Sequence, residues 1–396
     1  MSGSIYEKLG IDTHKDGVKA IFSKVVDNHY SGAFCNIIDD PWKENWVLCS
    51  HSDGSGSKSV QRVLAYGETK DPSVFIDDVF DAVGMNTGDM ACCGFVDNLV
   101  ITDTIAINSF FVPKELVLRG VAIGMTKLKA LYAHYGIKLH FLGGETADLP
   151  DQVLSYILDA SATSRMHKKG LVRGNVVPGD VIFGFSSTGQ AIWEDAPNSG
   201  QMSNGLTMSR KILMSKEYSY KYPLSTSNPL KPYRGRFRVD GGKREFGEVM
   251  TVGEAILSPT RQWVIVIKLL LERLRRKNAL HLLHGIVMNT GGGATKIKNI
   301  GKGILYRKKH MPEVTMLFDL IQQESGEEWP NMYQTFNMGV GLDVVGSDEG
   351  GILEDALSYV SGMVRISFFR LGECELSADG ENHVEVAMPD TTSHLY

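Results

Sequence analysis

The sequence predicts a mixed α/β protein of the α+β type, folded as two domains. Three observations carry this. Short β-branched or apolar segments alternate with longer segments of helical periodicity. The alternation restarts after about residue 170. A chain of 396 residues also exceeds what one hydrophobic core usually serves. The boundary is expected near Lys168–Gly170, which gives domains of residues 1–169 and 170–396.

In the first half, residues 45–49 read as a strand that runs into a Gly/Ser turn. Residues 72–90 read as a helix, because Val74, Phe75, Val79, Ala82, Val83 and Met90 recur at near-helical spacing. Residues 98–107 are apolar and β-branched, hence a strand. Residues 113–135 form a long amphipathic helix, with Pro113 suited to a first turn. Residues 138–142 are a strand leading into a Gly143-Gly144 turn, and 153–163 are another.

The second half opens with a strand at 180–186 and a helix at 205–216. Ser258-Pro259 reads as the cap and first position of a helix that ends near Lys277. Strands are expected at 282–288, 339–345 and 364–371. Two excursions interrupt the pattern, at 189–202 and at the Lys/Arg-rich stretch 220–248, which reads as a solvated loop.

Composition excludes several classes. Apolar residues are 43% and charged residues 22%, ordinary for a globular chain. The formal charge of −5 provides no basic field for a nucleic-acid backbone. The most apolar long run, 263–271, includes Lys268 and is too short to span a bilayer, so no membrane role is expected. No signal-peptide core precedes residue 30, and a cytoplasmic location is expected. Five cysteines without a C-x-x-C pair argue against a disulfide framework or structural zinc.

Residues suited to chemistry cluster after strands. Asp53, Gly54, Ser55, Gly56, Ser57 and Lys58 follow the first strand. Glycines let such a backbone approach a polyanion, Asp53 is a candidate for Mg²⁺, and Lys58 for phosphate charge. The Walker A spacing is absent, and a plain turn meets the same pattern. Asp89 ends a helical segment near a strand. Gly143, Gly144, Glu145, Thr146 and Asp148 follow another strand, where a turn with solvated acids is the alternative. Asp159 lies within an apolar strand run, and a buried carboxylate needs a partner or a metal. Gly291, Gly292 and Gly293 stand between strand and helix, a place for an anion or for a tight packing turn. His281 and His284 read as a polar connection rather than a metal pair.

In order and spacing these segments resemble the phosphoribosylformylglycinamidine cyclo-ligase (aminoimidazole ribonucleotide synthetase) family. The match runs over about residues 10–345. It rests on Asp53–Lys58 (DGSGSK), 143–150 (GGETADLP), Ser203-Asn204-Gly205, 257–261 (LSPTR), Thr290–Gly293 (TGGG) and 336–341 (FNMGVG). The resemblance implies an N-terminal domain whose strands join a partner's in a homodimer barrel, and a C-terminal α/β domain. It implies ATP and Mg²⁺, and closure of the imidazole ring of formylglycinamidine ribonucleotide in purine biosynthesis through a phosphorylated amide oxygen. By position, Asp53, Asp89, Glu145 and Asp159 would handle Mg²⁺ and the ATP phosphates, with Lys58 on phosphate. Ser203, Asn204, Gly205 and Gly291–Gly293 would face the substrate.

The chain departs from the resembled pattern at Met202 and Met288, where histidine is usual, at Gly88 for Asn, at Thr102 for Asp, and by an insertion at 190–199. The alternative is another ATP-dependent enzyme of the same superfamily, of the thiamine-monophosphate kinase or hydrogenase-maturation type. A non-catalytic nucleotide-binding homologue is the alternative from a different class.

Overall fold

The computed structural model describes residues 4–11, 17, 21–22, 24–226 and 228–396. Two sheets organise it. The first has the strand order β1-β2-β5-β3-β4, built from β1 Ile38–Asp39, β2 Trp46–Gly54, β3 Asn98–Ile107, β4 Lys138–Asp148 and β5 Tyr156–His167. The second has the order β12-β11-β8-β10-β6-β9-β7. Its strands are β6 Val181–Ser186, β7 Leu283–Met288, β8 Ile304–Lys308, β9 Val340–Gly346, β10 Phe368–Leu376, β11 His383–Ala387 and β12 Ser393–Leu395.

The first sheet is covered on one face only. Along β5, Leu158, Ala160 and Ala162 are buried while Ile157 and Asp159 are exposed, the alternation of a half-buried strand. Following α1 Ile5–Lys8 and α2 Lys58–Thr69, the covering helices are α3 Asp78–Cys92 and α4 Lys114–His134. Strands β3 and β4 are parallel, and α4 is the crossover that such a pair requires.

Helix α3 is buried along nearly its whole length, because it lies between the first sheet and a helix of the second half. In that half α5 is Leu206–Leu213, α6 Tyr218–Lys221, α7 Val252–Leu257 and α8 Trp263–Arg276. Helix α8 packs on α3, so one apolar core runs from the first sheet through both helices to β7. After them come α9 Met316–Ser325, α10 Trp329–Thr335 and α11 Ile352–Val364.

Four details differ from the sequence reading. The segment 72–90 is a 3₁₀ turn, Pro72–Phe75, followed by α3, because Asp71 caps the turn at Ser73 N and the chain restarts at Asp77. Gly143 and Gly144 continue β4 instead of turning. Gly144 pairs with Asp103 beyond a bulge, and a side chain there would strike the Asp103 carbonyl. Ser258 closes α7, which Thr251 and Glu254 open with a capping box, and α8 begins only at Trp263. Residues 364–371 hold the end of α11 and the start of β10. Helix α2 is an amphipathic helix that the sequence reading left out; its buried face joins Val63, Leu64 and Ala65 to Lys58, Gln61 and Arg62.

The polar excursion 220–248 is tied down. Lys221 and Arg238 pair with Glu68 of α2 at 2.6 and 3.0 Å, and Arg236 pairs with Glu324 at 2.8 Å. Among the described residues no helix is long and apolar enough to cross a membrane.

Candidate active site

Strand β2 delivers Asp53 at its C-terminal end, and α3 delivers Asp89 one turn before its own end. Both line a cavity of about 460 Å³ between the first sheet and the second half. Burial, reinforced by the charge of Asp89, pushes the Asp53 carboxyl above the ordinary aspartate range. Asp89 is only 8% exposed, and its Oδ1 is buried without a hydrogen-bond partner. Its backbone carbonyl is held by the Cys35 thiol at 3.2 Å.

Gly54, Gly56, Ser203, Asn204, Gly291 and Gly292 complete the walls with Thr290. The glycines are there for different reasons. Gly56 and Gly292 have φ of +59° and +96°, conformations that side chains disfavour. Gly293 and Gly205 also have positive φ, and a side chain on either would collide with Phe336. Asn204 Nδ2 is a second buried polar atom without a partner.

Several lining residues were not singled out from sequence. His51 Nε2 lies 3.5 Å from Asp89 Oδ2, and its Nδ1 lies 3.1 Å from Asn86 Oδ1. The Asn86 amide group donates to the carbonyls of Asp53, Ala82 and Ala160. Its oxygen therefore faces His51, which donates from Nδ1 and turns Nε2 toward Asp89. Lys296 reaches Asp89 Oδ2 at 3.4 Å and bonds to Thr290 Oγ1. Lys298 is a further cation on the wall. Both lysines follow the glycine run at short spacing, a signal the sequence did contain.

Other candidates lie elsewhere. The Lys58 ammonium is buried, donating to Asp81 Oδ1 at 2.6 Å and to the Ser258 carbonyl at 2.7 Å, and does not line the cavity. Burial holds it below the usual lysine range. Ser57 caps no amide and lies 3.3 Å from Thr207 Oγ1. Pairing places Glu145, Thr104, Asp159 and Gly54 in one row across the sheet. Directly paired residues share a face, so Glu145 and Asp159 lie on the open face, opposite to Asp53. Asp159 packs across Gly54, where a side chain would strike its carboxylate, and does not line the cavity. Glu145 is two strand spacings further, roughly 10 Å, on the edge strand with Gly143, Gly144 and Thr146. Asp103, one residue beyond Thr102, shares the row and face of Asp53 through Ala160. Regular pairing of β3 with β5 thus leaves a carboxylate one residue beyond the position where the pattern lacked one.

Asp81 of α3 is the buried hub behind the cavity. It accepts from Lys58, from Arg62 at 2.6 Å, from Thr260 N and Oγ1 at 2.7 and 2.8 Å, and from Ser203 Oγ at 3.1 Å. A larger cavity of about 790 Å³ lies on its other side, walled by the 190–199 insertion. The arginines there are already engaged: Arg62 by Asp78 and Asp81, Arg261 by Glu194 at 2.8 Å and by three backbone carbonyls. The smaller cavity is therefore the better seat for a phosphorylated ligand.

Two departures from the resembled pattern meet in space. Gly88 lies on α3 under Met288, and a side chain at 88 would collide with the Met288 sulfur. Gly88→Ala is expected to lower unfolding free energy by about 1–3 kcal/mol through overpacking, despite better helix propensity. Met288→Ala in the same chain should restore part of that loss; equal urea midpoints for Gly88→Ala and the parent would refute the packing argument.

No family model matches the chain. Its fold is shared by solved structures of low identity. The HypE–HypF complex matches at 14% identity over 96% of this chain and 99% of that one, TM-score 0.53. PurL of T. maritima complexed with FGAR matches at 12% over 95% of this chain and 49% of that one, TM-score 0.52. What these structures share with the chain is the aminoimidazole ribonucleotide synthetase-like fold. Among sequence relatives, phosphoribosylformylglycinamidine cyclo-ligase of Methanococcus vannielii is 27% identical over 97% of this chain and 96% of its own length. That of Pyrococcus furiosus is 31% identical over 80% of this chain and 76% of its own. The chain belongs to the phosphoribosylformylglycinamidine cyclo-ligase family.

Proposed function

We propose that the chain closes the imidazole ring of formylglycinamidine ribonucleotide, using ATP, to give aminoimidazole ribonucleotide. Family membership supports the reaction; Asp53 and Asp89, two largely buried carboxylates on the wall of one glycine-lined cavity, support the place. An amide oxygen is a poor leaving group. Phosphorylated by ATP, the formyl oxygen leaves as phosphate when the amidine nitrogen attacks the formyl carbon. The protein's work is positioning and charge neutralisation.

In this reading Asp53 and Asp89 hold Mg²⁺. The residues suit it: magnesium takes one or two carboxylates and completes its shell with water and phosphate oxygens. Among the described residues no three acidic, histidine or cysteine side chains cage a metal by themselves, so the nucleotide must share the coordination. Bound magnesium would offset phosphate charge. Gly54, Gly56 and Gly291–Gly293 let backbone approach the phosphates, while Ser203 and Asn204 orient the substrate. Lys58 serves as a buried counter-charge to Asp81, and Lys296 is the cavity cation that meets Asp89. Residues 1–169 form the ATP-binding and dimerisation domain, and 170–396 the second.

The open face of the first sheet, with exposed Leu142 and Ile157, meets a second copy in a homodimer. Glu145 and Asp159 then lie where the partner's surface completes the site, while Thr146, paired with buried Ile105, points to the covered face. The enzyme works in the cytoplasm.

The test is purified protein with MgATP and formylglycinamidine ribonucleotide. Aminoimidazole ribonucleotide and ADP should form in equal amounts. ADP release with thiamine monophosphate, and none with the amidine, would reject the reading.

A further inference from the structure

We infer that Lys296 is a placeholder counter-ion that makes metal binding depend on the nucleotide; this rests on the function proposed above. Its side chain is 14% exposed and enters the cavity from the 3₁₀ segment Gly293–Asn299. The ammonium is bonded to Thr290 Oγ1, lies 3.4 Å from Asp89 Oδ2 and sits 4.8 Å from the centre of the Phe34 ring.

The 3.4 Å separation is longer than a well-formed charged hydrogen bond, so the ammonium compensates Asp89 without saturating it. The second oxygen of Asp89 remains without a partner. Asp53, Asp89, His51 and Lys296 all line this one cavity. A divalent cation settling on Asp53 and Asp89 would place two positive charges beside the ammonium. Between side chains as buried as Lys296 and Asp89 that repulsion is strong. It disappears when the metal arrives with a polyphosphate, because the lysine then has phosphate oxygens to turn toward. A lysine suits this use: it is a flexible point charge with three donors, able to exchange one partner for another. Lys296 thus disfavours bare Mg²⁺ and favours the magnesium–nucleotide complex.

Calorimetry on the full chain tests this with two probes, Mg²⁺ alone and Mg²⁺ with a non-hydrolysable ATP analogue. Lys296→Met and Lys296→Gln should each bind Mg²⁺ alone at least tenfold more tightly than the parent, and the magnesium–analogue complex at least tenfold more weakly. Lys296→Arg, which keeps the charge, should stay closer to the parent in both. A purely structural lysine would not produce opposite changes. Mg²⁺ affinity unchanged or weakened in both neutral variants, with normal analogue binding by the parent, overturns this inference alone. Failure of the parent to bind the magnesium–analogue complex overturns the functional reading and this inference together.

Discussion

Asp53→Asn should lower kcat by about a hundredfold or more, the scale of losing one electrostatic stabiliser of the transition state, while leaving the fold at least as stable. The two halves of this expectation come from one fact. Burial and the neighbouring Asp89 raise the Asp53 pKa in the folded chain. A group whose folded pKa exceeds its unfolded one contributes stability that is complete below the unfolded pKa and is lost as pH rises through the folded pKa. At neutral pH the ionised carboxylate is therefore a burden on the fold, one that the proposed magnesium site would require. The melting temperature of Asp53→Asn should match or exceed the parent's at pH 7, and the advantage should vanish below about pH 4, where both states of the parent are protonated. A variant with full turnover would show that Asp53 does not serve the metal. One that loses activity only because it unfolds would contradict the stability argument.

Asp81→Asn should do the reverse and damage the fold first. Its carboxylate is fully buried and accepts from Lys58, Arg62, Thr260 and Ser203. Neutralising it leaves the Lys58 ammonium buried against one carbonyl oxygen. Breaking a buried pair in this way costs about 3–5 kcal/mol, a large share of a typical total of about 5–15 kcal/mol. Urea unfolding should show the loss as a lower midpoint with little change in slope. Because Asp81 also fixes Ser203 and Thr260, the surviving folded fraction should bind substrate poorly. An unchanged midpoint would mean that Lys58 finds another partner or sheds its proton.

The contrast between these two aspartates shows what the sequence could and could not disclose. The place of Asp53 on the cavity wall was legible because a strand end is written locally, in a glycine-rich loop of recognisable spacing. Asp81 was not, because its partners are up to 179 residues away and its own segment reads as an ordinary helical turn. The same limit explains Lys58. Its place in the loop pointed to phosphate, but it is the first residue of helix α2, whose buried face turns it toward Asp81. The alternation of strands and helices, and with it the mixed α/β class, followed from patterning alone. Gly143-Gly144 misled for a physical reason: glycine serves close strand approach as readily as a turn, and the bulge opposite Asp103 uses it for the former. Lys296 was overlooked because attention to a glycine run stops at the glycines, while the residue three positions after Gly293 is carried back over the cavity by the 3₁₀ turn.

The central chemical claim is that the phosphoryl group passes to the substrate's formyl oxygen. Isotope tracing tests it most directly: the substrate is labelled with ¹⁸O at the formyl oxygen, and the inorganic phosphate released is weighed by mass spectrometry. The account predicts one ¹⁸O in each phosphate formed. Unlabelled phosphate, with the isotope recovered in water, would contradict it.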